Sequence, residues 1–370
     1  MPDPPPNPSP PPRTTTTTTT IRILDGGLGT SLEHNHGISF TPSSSPLWSS
    51  HLLVSDPATL LLCQKSFAAI PVDVLLTATY QVSIQGFAAT KTAEHPSGIA
   101  DASHIPPFLD KAIQIAHEAA KARTPCAAAV ALSLGPYGAC MIPSQEYSGA
   151  YDAEHSSEEA LYLWHRQRME LFARVVPPVR RRITYMALET IPRLDEIVAL
   201  RRALAAVPEL SSGIPFWMSC LFPHEDDDNT PDGSSPEAIL GAMLDPALAE
   251  EAVPWAVGIN CTKVWKLDSL LRRYEAAIRN LLHEGTVERW PALVLYPDGT
   301  NGEVYNTTTK QWELPQGAAE QQQDRVPWET QLTQAVRATE ARGNWPEIIV
   351  GGCCRALPSD IKRLRDALTN

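Results

Sequence analysis

The chain has 370 residues, 43% of them hydrophobic, with 42 Asp and Glu against 30 Lys and Arg for a formal net charge of −12. That length and apolar content can fill one large α/β domain. The acidic balance excludes a nucleic-acid binder, because phosphate contacts need clustered Lys and Arg, and no apolar run approaches the ~20 residues that span a bilayer.

Residues 1–20 are Pro-rich and then poly-Thr from Thr14 to Thr20, a composition that buries no apolar area and predicts a disordered tail. They hold neither the apolar stretch of a secretory signal nor the amphipathic Arg pattern of a transit peptide, so the chain reads as cytoplasmic. From residue 21 to 370 a single domain is expected. Short β-branched apolar runs predict strands at 21–25, 72–79, 126–134, 184–189, 214–220, 255–261, 292–296 and 347–351. Helical patterns fall between them at 57–69, 106–122, 156–176, 193–206, 236–250, 266–283, 328–341 and 358–368. Pro57, Pro236 and Pro358 follow Asp, Ser and Leu at three of these starts, where proline is favoured at the first helical position. Strands apolar on both faces that alternate with helices imply a parallel sheet covered on both sides. Eight β/α repeats fit a closed (β/α)8 barrel of the TIM type best, with an open doubly wound sheet as the alternative. The connections 221–235 and 316–325 are polar and read as surface insertions.

In such a barrel the chemistry gathers where the βα loops converge, at the C-terminal ends of the strands. Those ends carry Asp25-Gly26-Gly27-Leu28-Gly29-Thr30, Thr77–Gln81, Glu189-Thr190, Asn260-Cys261-Thr262 and Gly351-Gly352-Cys353-Cys354-Arg355. Three of the chain's seven cysteines therefore meet on one rim. An odd cysteine count without a secretion signal argues for reduced thiols and a metal or catalytic use for some of them. Three thiolates are a soft ligand set that selects Zn2+ and leaves one tetrahedral position open. Because successive strand residues face opposite ways, Cys353 and Cys354 reach one ion only if the chain bends, which Gly351-Gly352 permits. The remaining cysteines, Cys63, Cys126, Cys140 and Cys220, are expected to be structural.

The ligand type narrows the reaction. Hydrolytic zinc sites use His and carboxylates, which leave the ion acidic enough to make hydroxide. Three thiolates give a net negative, weakly acidic centre, suited to holding a fourth sulfur as a nucleophilic thiolate beside a cationic alkylating agent. Asp25 and Glu189 would pair with the α-ammonium of an amino-acid thiol, and the Gly26-Gly27 backbone could approach its carboxylate. Trp48, Tyr80 and Tyr137 could face a sulfonium through cation–π contact.

The segments DGGLGTSLE (25–33), LLTATYQVS (75–83), SLGPYGA (133–139), SQEYSGAY (144–151), ALETIP (187–192), GINCT (258–262) and GGCCR (351–355) together resemble the homocysteine S-methyltransferase family. The resemblance runs over 21–368 and implies a (β/α)8 barrel with zinc on Cys261, Cys353 and Cys354. It further implies homocysteine as the thiol, with Asp25, Gly26, Gly27, Glu189, Tyr80 and Asn260 as substrate contacts. The ALETIP and SQEY segments are similar to the branch that takes its methyl group from S-methylmethionine or S-adenosylmethionine. Two readings compete with an enzyme of that kind. One is a non-catalytic zinc-thiolate barrel that binds homocysteine as a sensor or structural partner. The other is a pterin- or corrinoid-linked methyltransferase, which would need a further module.

Overall fold

The computed structural model describes residues 19–41, 44–249, 252–300, 302–306, 311–313 and 326–369. All eight expected strands form: β1 Thr20–Ile23, β2 Val74–Leu76, β3 Ala129–Leu134, β4 Tyr185–Ile191, β5 Phe216–Cys220, β6 Ala256–Asn260, β7 Ala292–Tyr296 and, after a hairpin, β10 Glu347–Val350. The hairpin, β8 Val304–Asn306 with β9 Gln311–Glu313, is a feature the apolar runs did not announce. The expected disordered tail and the 316–325 insertion fall outside the described residues, apart from Thr19 and Thr20.

The strands pair in parallel in the order β1-β10-β7-β6-β5-β4-β3-β2. A bridge between Leu24 and Val74 joins the two outer strands. There the Asp73 N–H donates to the Ile23 carbonyl at 2.7 Å and the Asp25 N–H to the Val74 carbonyl at 3.2 Å. The sheet is thus a closed barrel, which leaves no exposed edge. Helices Pro57–Ala68, Pro106–Ala120, Glu158–Ala173, Leu194–Ala206, Pro236–Leu244, Leu267–His283, Trp328–Arg342 and Pro358–Thr369 cover it outside. The caps explain several starts: Asp56, Ser157 and Ser235 each accept a hydrogen bond from the third residue of the helix they open, meeting backbone donors that would otherwise lack partners.

Strand alternation builds two cores. Outward residues such as Leu132, Leu188, Met218, Ile259, Leu295 and Val350 pack under the helices. Inward residues Leu24, Val74, Ala131, Ala187, Trp217, Ala256, Val294 and Ile349 fill the barrel. Trp217 is fully buried there, and its indole donates to the Tyr296 hydroxyl at 3.1 Å. Trp217→Ala should cost about 3–5 kcal/mol, because the remaining interior side chains cannot collapse into so large a void. Chemical denaturation would show this as a lowered midpoint with an unchanged slope. A loss below about 1 kcal/mol would mean that the interior repacks.

Above this apolar plug the inward positions turn polar. Ser133, Glu189, Ser219, Asn260 and Tyr296 form the next layer. The 221–235 connection is anchored from below: the Lys266 ammonium donates to the carbonyls of Phe222, His224 and Asp227. Among the described residues no helix is long and apolar enough to cross a membrane.

Candidate active site

The three rim cysteines converge. The sulfurs of Cys261, Cys353 and Cys354 all lie within 4.8 Å of one another. Cys261 follows β6 with φ 47°, and its N–H is held by the Tyr296 carbonyl at 3.2 Å. Cys353 and Cys354 follow the end of β10 in a turn, as their adjacency required. That turn is pinned by the Cys353 N–H to the Pro297 carbonyl at 2.8 Å and by the Gly299 N–H to the Cys354 carbonyl at 2.7 Å. Three cysteine sulfurs are the soft donor set that suits zinc, and a zinc–sulfur bond of ~2.3 Å asks them to stand roughly 3.8 Å apart, a spacing open to Cys261 and Cys353 only when both are reduced. The structure pairs Cys261 with Cys353 as a disulfide, where the sequence predicts two thiolates. The disulfide and a metal exclude each other, since metal ligation needs both sulfurs reduced. Cys354 remains a thiol, pushed up to about 12 by burial and by the Asp298 and Glu146 carboxylates.

Asn260, expected to touch substrate, stands behind the site instead. It is fully buried, donates to the Thr190 hydroxyl at 2.7 Å and to Cys261 Sγ at 3.4 Å, and accepts from the Thr190 N–H at 2.9 Å. It holds Thr190 at φ 60°, where the β4–β5 register shifts. Hydrogen bonds of this kind orient a thiolate and temper its charge.

Next to the sulfurs is an inner chamber of about 110 Å³ whose wall includes Asp25, Tyr80, Ser133, Glu189, Tyr296 and all three cysteines. Asp25 accepts from the Leu76 N–H at 2.9 Å through Oδ2, while its buried Oδ1 has no partner among the described residues. Glu189 accepts from the Ser133 hydroxyl. Burial pushes Asp25 up to about 8, and the facing Glu189 charge adds to the rise. Burial likewise pushes Glu189 up to about 7. Two buried carboxyls with no basic side chain in the same wall among the described residues are what an ammonium group would neutralise.

Gly26 and Gly27 line this chamber, and their smallness is also structural. A Cβ on Gly27 would stand 2.5 Å from the Cys353 carbonyl oxygen, and one on Gly351 2.5 Å from that of Asp25. The Gly27 N–H is committed to the Ala356 carbonyl at 3.0 Å, so it is not free for a substrate carboxylate. The glycines lock the first and last barrel loops together, which carries Asp25 to the cysteines. The helix Leu28–His36 begins at this wall, with Leu28, Gly29 and Thr30 in its lining.

Trp48 and Tyr80 both reach the chambers, whereas Tyr137 does not. Tyr137 packs against Tyr151, His155 and Trp164, and its hydroxyl donates to Asp152. Of the cysteines expected to be structural, Cys63 and Cys220 are buried, Cys140 half-buried and Cys126 exposed. Ser133, Thr190, Tyr296, Glu146 and Tyr147 were missed. For Ser133 and Tyr296 the signal was present as strand alternation, two residues after the inward Ala131 and Val294. For Glu146 and Tyr147, on a loop, no period marked them, and the signal was the SQEY segment that carries the family resemblance.

A closed (β/α)8 barrel with three clustered cysteines and an acid-lined chamber at the strand ends defines an enzyme that handles a soft nucleophile next to an amino group. Residues 22–368 match the family model for homocysteine S-methyltransferase, and the chain belongs to that family and is a methyltransferase. It is 30% identical over 351 residues to the homocysteine S-methyltransferase of Escherichia coli (strain K12), covering 93% of this chain and 94% of that protein. It is 29% identical over 355 residues to homocysteine S-methyltransferase 1 of Brassica oleracea var. italica, covering 92% and 91%. The metallated form of the homocysteine methyltransferase MmuM from Escherichia coli superposes with a TM-score of 0.65 at 25% identity, over 96% of this chain and 98% of that one. The oxidised form of the same enzyme gives 0.64.

Proposed function

We propose that this enzyme transfers a methyl group from a sulfonium donor, S-methylmethionine or S-adenosylmethionine, to homocysteine with zinc on Cys261, Cys353 and Cys354, giving methionine. The convergence of the three sulfurs beside two unneutralised buried carboxyls carries the reading. Zinc bound there would supply a homocysteine thiolate at neutral pH, where a free thiol with a pKa near ~8.5 is only a few per cent ionised.

The chain's own residues do the rest. Asp25 and Glu189 hold the acceptor's ammonium and so fix its sulfur over the cysteines. The first turn of Leu28–His36 offers unpaired N–H groups to the acceptor's carboxylate. Asn260 donates toward Cys261 and keeps the sulfur cluster in register with β4. No general base is needed at the transfer step, and positioning two substrates in line supplies much of the rate.

The test is methionine formation from homocysteine with each donor in parallel, on protein reduced and loaded with zinc. Turnover should require both reductant and metal, with about one zinc per chain. Full turnover by the disulfide form, or after exhaustive chelation, would refute the reading. Tight homocysteine binding with no turnover from either donor would favour the non-catalytic sensor.

A further inference from the structure

A second, outer chamber of about 120 Å³ opens beside the inner one, and Thr30, Trp48, Glu146, Tyr147 and Cys354 line both. We propose that this outer chamber seats the methyl donor and that Glu146 is the anchor for the α-ammonium group of an amino-acid sulfonium. The inference rests on homocysteine occupying the inner chamber.

The orphaned oxygen is the starting point. Glu146 Oε2 is closed off from solvent and makes no hydrogen bond among the described residues. The carboxylate and Cys354 both stand in the walls of the outer and the inner chamber, which puts Glu146 at the junction where a methyl group must cross. Among the described residues no Lys or Arg side chain lines either chamber. A buried carboxylate oxygen without a donor costs free energy until a guest supplies one.

The missing partner has to be a hydrogen-bond donor. A sulfonium has a positive charge but no N–H or O–H, so it leaves Oε2 unsatisfied. An ammonium offers three N–H groups and supplies it. Asp25 and Glu189 already provide for one ammonium, that of the acceptor. Glu146 provides for a second, and a reaction between two amino acids brings two. Glu33, the other acid in the outer wall, is exposed and faces the Arg355 charge, which leaves Glu146 as the anchor.

Transition-state arithmetic points the same way. The acceptor thiolate's lone pair forms the new S–CH3 bond, the donor's S–CH3 bond breaks, and the donor sulfur leaves as a neutral thioether holding that pair. The sulfonium charge disappears during the step, so a carboxylate pressed against it would stabilise the ground state more than the transition state. The ammonium charge is unchanged throughout. Binding through it positions the donor without opposing the chemistry. Trp48, in the wall of both chambers, is left to meet the sulfonium.

The experiment compares two ligands on the reduced, zinc-loaded full chain without homocysteine. S-methylmethionine has the sulfonium, carboxylate and ammonium groups; (3-carboxypropyl)dimethylsulfonium lacks only the last. Calorimetric titration of the wild type should show S-methylmethionine binding about tenfold or more tightly than the des-amino ligand. Glu146→Gln should abolish that preference, weakening S-methylmethionine about tenfold and changing the des-amino ligand less than twofold. The unchanged ligand reports that the pocket is still folded. Equal losses for both ligands, no loss for either, or no S-methylmethionine binding to the wild type would overturn the proposal. A raised homocysteine KM in Glu146→Gln with unaltered donor binding would assign the carboxylate to the acceptor and overturn it too. The expected binding pattern in a protein that makes no methionine would sink the proposed reaction and leave the anchor standing. Methionine formation with a silent Glu146→Gln would sink the anchor alone.

Discussion

Cys261→Ala is expected to strip the metal and lower kcat/KM for homocysteine by about 10³-fold or more while the barrel stays folded. Removing one of three sulfurs leaves a two-coordinate protein site that holds zinc poorly. The acceptor then has to react from its free thiol. Ionisation alone costs about thirtyfold near neutral pH, and the lost alignment costs further orders of magnitude. The fold should survive because Cys261 sits beyond β6 at a strained φ of 47° and is not part of either apolar core. Zinc per chain, the rate of methionine formation and the circular dichroism melt together check the claim. A variant that keeps one tightly held zinc and most of its activity would show that the metal sits elsewhere.

The second large effect concerns the acid pair. Asp25→Asn or Glu189→Gln should raise the homocysteine KM about 10- to 100-fold, the equivalent of one buried charge-assisted hydrogen bond worth ~1.5–3 kcal/mol. The pH dependence has a definite sign. With Asp25 pushed up to about 8 and Glu189 to about 7 in the empty chamber, acid conditions leave both neutral and unable to hold an ammonium. Affinity for methionine, whose thioether does not titrate, should therefore fall as pH drops from about 8.5 to 6, with protons released on binding. Calorimetry in buffers of different ionisation enthalpy reads both quantities, and a flat affinity across that range would refute the assignment. The same shifts affect stability in the opposite sense. A carboxyl raised on folding favours the folded state at acid pH, and that contribution is lost as pH rises through the folded value. Glu189→Gln should thus melt higher than the wild type at pH 8 when no ligand is bound, the familiar cost of a site built to receive charge.

The closed barrel was legible because its cause is local. Apolar runs too short for helices, separated by helical periods, cannot be buried except as a parallel sheet with helices outside, and all eight strands formed where those runs lie. Their bounds were less legible: β7 matches its run, β4 extends past its expected end to Ile191, and β2 keeps only Val74–Leu76 of the run 72–79, because the polar Thr77 and Thr79 bond to one another and to β3 at the rim. Asp25, Glu189 and the three cysteines were legible for the same reason, being polar or reactive residues at the ends of apolar strands. What each of them faces was not.

The amino-acid sequence by itself determined the strand count, the rim on which the chemistry collects and the soft character of its donors, since these follow from periodicity and residue type. Only the tertiary structure decided that Asn260 supports the sulfurs from behind, that Tyr137 lies away from the chambers, that Gly27's N–H is taken by Ala356, and that Glu146 closes a second chamber. Each of those facts depends on a contact between residues 50 or more positions apart, or on the path of an irregular loop. Neither leaves a period in the chain, because the geometry of such contacts is set by closure of the whole barrel and not by neighbours in sequence.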